Sequence, residues 1–134
     1  MPSREVIAQN THLKINTKLC GEVVQLAEGY ARVQLNTDAE MAADEAGLIH
    51  GGFIFGAADF AAMCAVNEPN VVLTGSSCRF IAPSVKGDVI DFEATVVEQD
   101  GAKALVEVVG HSRGRDVFTG SFKTYVTQEH VLKG

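Results

Sequence analysis

One carboxylate interrupts an otherwise apolar run, Gly51-Gly-Phe-Ile-Phe-Gly-Ala-Ala-Asp-Phe-Ala-Ala-Met-Cys-Ala-Val66, and that carboxylate is Asp59. A segment apolar on every side reads as a buried helix, where an ionised group is costly unless it is paired or functional. Asp59 lies too deep to be an N-cap, and helix propensity does not favour it. Two roles remain open. Desolvation would raise its pKa and make it a base or acid near neutrality, or it could pair with a buried base, for which Arg79 is the candidate.

His50-Gly51-Gly52 opens the same run. Backbone N–H groups at a helix start lack intrahelical partners and lie at the positive pole of the helix dipole, which suits a polarised carbonyl or an oxyanion. Glycine leaves room for such an approach; close packing against a sheet would demand glycine equally. His50 is either a polar group facing substrate or a support for the loop that shapes the helix start. Asp59 follows Gly52 by seven residues, close to two turns, so the two share a face but stand about 10 Å apart along the axis. Joint action on one carbonyl therefore needs two helices side by side. An antiparallel pair across a two-fold axis supplies this, with two equal sites per dimer.

The elements that must hold these residues follow from periodicity. A short helix is expected over 3–9, capped by Ser3, then a connector containing His12. Strands are expected over 20–27 and 30–37, and a helical turn near 39–43. The long helix runs over 51–67, stopped at Glu68-Pro69-Asn70. A strand from Val71 to Ala82 then begins a run of four antiparallel strands, with Val89–Glu98, Lys103–Gly110 and Asp116–Thr127 completing the meander. Asp100-Gly101 is the hairpin signal. This is an α+β order in which five or six strands wrap one long central helix. One curved sheet cannot enclose a helix apolar all round, so a second copy is expected to cover the remainder.

Composition narrows the function classes. A chain of 134 residues is a single domain, here a 1–19 helix and connector followed by a core over 20–127. The net charge of −6 argues against nucleic acid as a partner. Cys20, Cys64 and Cys78 form no metal-spaced cluster or disulfide framework, which fits a reducing cytoplasm. No signal-peptide core precedes Glu5, and the apolar run is too short to span a bilayer, so no membrane association is expected. His12, His111 and His130 are lone residues read as surface positions, and Cys64 as core.

Gly47-Leu-Ile-His-Gly-Gly-Phe-Ile-Phe-Gly-Ala-Ala-Asp59 resembles the HGG-x6-D signature of hotdog-fold acyl-CoA thioesterases, in particular the phenylacetate-pathway-like group. Arg79-Phe-Ile-Ala-Pro-Ser-Val-Lys-Gly-Asp88 is similar to the strand and proline turn of that family, and the resemblance extends over residues 20–127. It implies a hotdog fold, dimers or tetramers, and hydrolysis of an acyl- or aryl-CoA thioester. Coenzyme A would enter as part of the substrate, and no metal or cofactor would be needed. Carried over, the resemblance implies that the Gly52 amide polarises the thioester carbonyl. Asp59 of the partner subunit would act as nucleophile or general base, and His50 would orient the thioester or support the loop. Gly51, Thr74, Phe60 and Phe80 would contact substrate, with Phe53 and Met63 as further pocket residues and Thr74 placing water. Some relatives have asparagine where this chain has Asp44. Lys86, Lys103, Arg113, Arg115 and Lys123 are available to the CoA phosphates. The rivals are a 3-hydroxyacyl thioester dehydratase and a non-catalytic acyl-CoA-binding module.

Overall fold

The computed structural model describes residues 7–133. Its first helix is not the expected one: the segment 3–9 lies mostly outside the described residues, and 7–9 carry no helix. Instead α1 forms over Thr17–Cys20. The Asn16 side chain caps it by accepting from the N–H groups of Lys18 and Leu19 at 3.0 and 3.2 Å. Gly21 ends it at φ 95, and a Cβ there would sit 2.6 Å from Val33 Cγ1, so glycine is required twice over.

Strands β1 (Glu22–Ala27) and β2 (Tyr30–Asn36) form a hairpin. A 3₁₀ turn over Ala39–Met41, capped by Asp38, leads to the long helix α2, Gly51–Val66. The helix stops one residue before the expected end: Asn67 adopts the left-handed conformation and its N–H bonds the Met63 carbonyl. Strands β3 (Val71–Phe80), β4 (Val89–Asp100), β5 (Lys103–Ser112) and β6 (Arg115–Val126) complete one antiparallel sheet in the order β1-β2-β4-β5-β6-β3. The β4–β5 pairing runs to Asp100 opposite Lys103, so Gly101 and Ala102 make the turn. Only three strands form the meander, not four. The inner partner of β2 is β4, and β3 crosses beneath the helix to the far edge beside β6. Its polar sequence, Thr74-Gly-Ser-Ser-Cys-Arg79, suits an edge better than a centre.

Alternation decides the core. Val33 and Leu35 of β2, Ile90 and Phe92 of β4, Val106 and Val108 of β5, and Phe118 and Phe122 of β6 all point at α2. The helix meets them with Ile54, Ala57, Ala58, Ala61, Cys64 and Ala65, a small-residue face that lets it lie close on the sheet. The opposite face of α2 is covered from within the chain over its C-terminal half. The Asn67 side chain accepts from Asn10 N–H at 2.7 Å and donates to the Ala8 carbonyl at 2.8 Å. The His12 ring lies 6.0 Å from that of Phe60, and α1 packs beside α2. Phe60 and Met63 are buried as a result. The N-terminal half keeps an open stripe of Gly52, Phe55, Gly56 and Asp59. No helix among the described residues is long and apolar enough to cross a membrane.

Candidate active site

The loop before α2 is held by main-chain bonds on both sides. His50 N–H reaches the Met41 carbonyl at 2.9 Å, Ile49 N–H the Ser84 carbonyl at 2.9 Å, and Leu48 bridges Val85. His50 thereby becomes the N-cap residue, yet its side chain caps nothing. Its ring folds over the helix start instead, where a Cβ on Gly52 would lie 2.9 Å from Nε2. A Cβ on Gly51 would lie 3.3 Å from Phe80 Cε1. Each glycine thus answers to an aromatic ring, Gly52 to His50 two residues before it and Gly51 to Phe80 of the edge strand. The first-turn amides keep their dipole-end position, Gly52 is exposed, and no side chain caps them.

Two turns along the open stripe stands Asp59. Its Oδ1 is buried and, among the described residues, accepts no hydrogen bond. Burial pushes its pKa from 3.8 up to about 6. The ion pair with Arg79 is not formed: Arg79 is exposed on β3 opposite Thr119, one position out of phase with the helix-facing Cys78 and Phe80. The nearby titratable group is the Cys20 thiol of α1, raised first by burial and then by the charge of Asp59. Among the described residues no salt bridge reaches Asp59, and its desolvated carboxylate takes up a proton at a higher pH than an ordinary one.

Other anticipated residues separate into those the fold gathers and those it does not. Phe80 stands at the helix start, half-exposed, and edges onto Phe118. Phe60 is buried beneath His12, beside the polar cleft formed by Gln9, Thr17 and Glu22. Thr74 is the extra residue of a β-bulge between Leu73 and Gly75, and its hydroxyl donates to the Lys123 carbonyl at 3.1 Å. It lines an outer depression with Lys103, Lys123 and Tyr125 that His50, Gly51, Gly52 and Asp59 do not reach. Arg113 is tied to Asp88 at 2.6 Å, and Arg115 donates to the Pro83 carbonyl. Lys86 lays its aliphatic stem over Gly47 in the loop that leads to α2, and its N–H donates to the Gly47 carbonyl at 2.8 Å.

Sequence reasoning missed His12 and Cys20. His12 is half-buried at φ 56, with Nδ1 bonded to Thr11 Oγ1 at 2.7 Å, and burial lowers its pKa. Cys20 is near enough to Asp59 for that charge to help raise its thiol pKa. The Asn16 cap and Gly21 stop bracketing α1 were the readable signal for it.

The model of the thioesterase superfamily matches residues 46–119, which contain the helix start, Asp59 and strands β3 to β5. The chain belongs to the thioesterase superfamily. Among solved structures, this superfamily member superposes on an uncharacterized protein from Pyrococcus horikoshii with a TM-score of 0.94 at 44% identity, covering 96% of this chain and 98% of that one. A Streptococcus mutans protein solved with acetyl-CoA bound shares the fold with a TM-score of 0.78 at 20% identity, covering 90% and 99%. A methylthioribose-1-phosphate isomerase of Aquifex aeolicus is 52% identical over 125 residues, 92% of this chain, yet the chain spans only 27% of that protein. The transcription factor FapR of Caldanaerobacter subterraneus is 24% identical over 132 residues, 95% of this chain and 66% of FapR.

Proposed function

We propose that the protein hydrolyses acyl-CoA thioesters at a site shared between two copies of the chain. One observation carries this reading: a buried carboxylate oxygen without a partner lies on the same open helix face as the uncapped amides at the helix start, seven residues away. Within one chain they stand about 10 Å apart. In an antiparallel pair each Gly52 amide comes level with the other copy's Asp59, and a thioester carbonyl fits between them.

In this reading the Gly52 N–H stabilises the negative charge that grows on the carbonyl oxygen. Asp59 takes a proton from water as the water oxygen bonds to the thioester carbon. The carbon–sulfur bond then breaks, and the CoA thiolate leaves with that proton. If Asp59 attacks directly, an anhydride forms first and water cleaves it; where water attacks the Asp59 carbon of that anhydride, a single turnover in ¹⁸O-labelled water leaves label in Asp59, which direct attack of water on the thioester never does. His50 shapes the approach to Gly52, and Lys86, packed on the loop before the helix, is available to a polyanionic CoA.

Superfamily membership and the acetyl-CoA-bound structural neighbour support acyl-CoA as the substrate class. The test is thiol release from a panel of acetyl-, medium-chain and aryl-acetyl-CoA, repeated with Asp59→Asn. Turnover that falls by about 10³-fold or more, with binding retained, supports the reading. The likeness to FapR marks the rival, a ligand-binding module: acyl-CoA binding by both proteins with turnover by neither would replace hydrolysis with sensing.

A further inference from the structure

Gly56 has no reason within the chain to be glycine. It sits in the middle of a 16-residue helix with helical dihedrals, where glycine is less favourable than alanine because it gives up more backbone freedom. A Cβ there would meet nothing within 4 Å, whereas at Gly51, Gly52, Gly110 and Gly120 it would press on a ring or side chain. The residue lies on the open stripe between Gly52 and Asp59.

The shared site, on which this inference rests, supplies the reason. In two antiparallel helices related by a two-fold axis, paired levels sum to a constant. Setting Gly52 level with Asp59 of the partner subunit places the axis midway, between Phe55 and Gly56. Phe55 then comes level with Gly56 of the partner subunit, and Gly56 with Phe55 of the partner subunit. Phe55 rests one side of its ring on Phe122 at 5.6 Å between ring centroids and stays partly exposed; in this register its exposed part falls where a side chain at position 56 of the other copy would stand. Charge favours the same register, because the Asp59 carboxylate then faces a helix N-terminus.

We infer that Gly56 is a positioning residue: its missing side chain seats the partner's Phe55 at the two-fold axis and brings the helices close enough for Asp59 and Gly52 to reach one thioester. The occupant of the open stripe is therefore a second copy of this chain. Helices in contact lie about 8–10 Å apart, and a bare backbone at the crossing holds them at the near end of that range. Separating them by about 1 Å is enough to cost on the order of 10² in turnover.

A residue beside a two-fold axis meets its own copy, and that is the test. Gly56→Cys, with Cys20 and Cys78 replaced by serine and the fully buried Cys64 kept, should form a 56–56 disulfide dimer under mild oxidation, identified by peptide mass. Gly52→Cys alone should not link to itself, being about 10 Å off level, while a mixture of Gly52→Cys and Asp59→Cys chains should cross-link. Val97→Cys, on the exposed face of β4, measures random encounter. In the natural chain Gly56→Leu should leave the circular dichroism of the protomer unchanged and lower kcat at least tenfold, with Gly56→Ala less affected. Linkage at 56 no faster than at 97, or undiminished kcat in Gly56→Leu, overturns the inference. Rapid 56–56 linkage in a protein that hydrolyses no acyl-CoA would keep the axis and discard the activity. Hydrolysis without linkage would do the reverse.

Discussion

In its proposed role Asp59 would serve the reaction while it weakens the fold. Its folded pKa of about 6 exceeds the ordinary 3.8, so between those values the native state binds more protons than the unfolded one. Stability therefore falls as pH rises through that window, and the full penalty is present above pH 6. Asp59→Asn should raise the melting temperature by several degrees at pH 8, corresponding to about 1–2 kcal/mol once the water that reaches the group is allowed for, and little at pH 4. Calorimetry at the two pH values checks this. The rate should move oppositely: kcat/KM should decline with unit slope below about pH 6, as the required carboxylate is protonated. Gly52→Ala drives a methyl group into the His50 ring. Because that ring is exposed and can swing, the fold should survive, while kcat should fall by about 10²-fold from the displaced carbonyl, a loss read in steady-state kinetics. These residues were legible because a charge in an apolar helix and a paired glycine at its start each break a local rule. Thr74 was not, because the bulge at Leu73–Gly75 reverses the direction a simple alternation assigns it, and neither was His12, whose left-handed backbone leaves no mark in composition.

At the level of elements, most boundaries could be read from alternation and from turn residues, since β2, β4, β5 and β6 each have one buried face. Strand order could not be read. Chain order puts β3 next to β4, but pairing depends on which edge is free after the helix crosses, and that is a property of the whole sheet. The cover over α2 was also hidden. Its apolar circumference pointed to a second copy, whereas residues 7–20 shield the C-terminal half through contacts that sequence periodicity does not record. Asn67 fastens that cover. Asn67→Gly keeps the left-handed backbone comfortable while deleting both side-chain hydrogen bonds, so it should lower stability by about 1–3 kcal/mol and increase amide exchange over residues 8–12.

Over the whole molecule, the part of α2 that the chain leaves uncovered lies on one side. The uncapped helix start, the unpartnered carboxylate, Gly56 and the half-exposed Phe80 lie along or beside the same stripe, and β3 is the free edge next to it. The C-terminal half of the helix is sealed by the chain itself. A protomer that encloses most of its own interior can fold before it meets another, so assembly becomes an encounter between finished parts. Specific activity should then drop on dilution below the dissociation constant of the dimer and return on reconcentration, while the far-ultraviolet spectrum stays constant. Under the proposed function, subunits below that concentration would be folded but idle, and their abundance would set how many sites are complete.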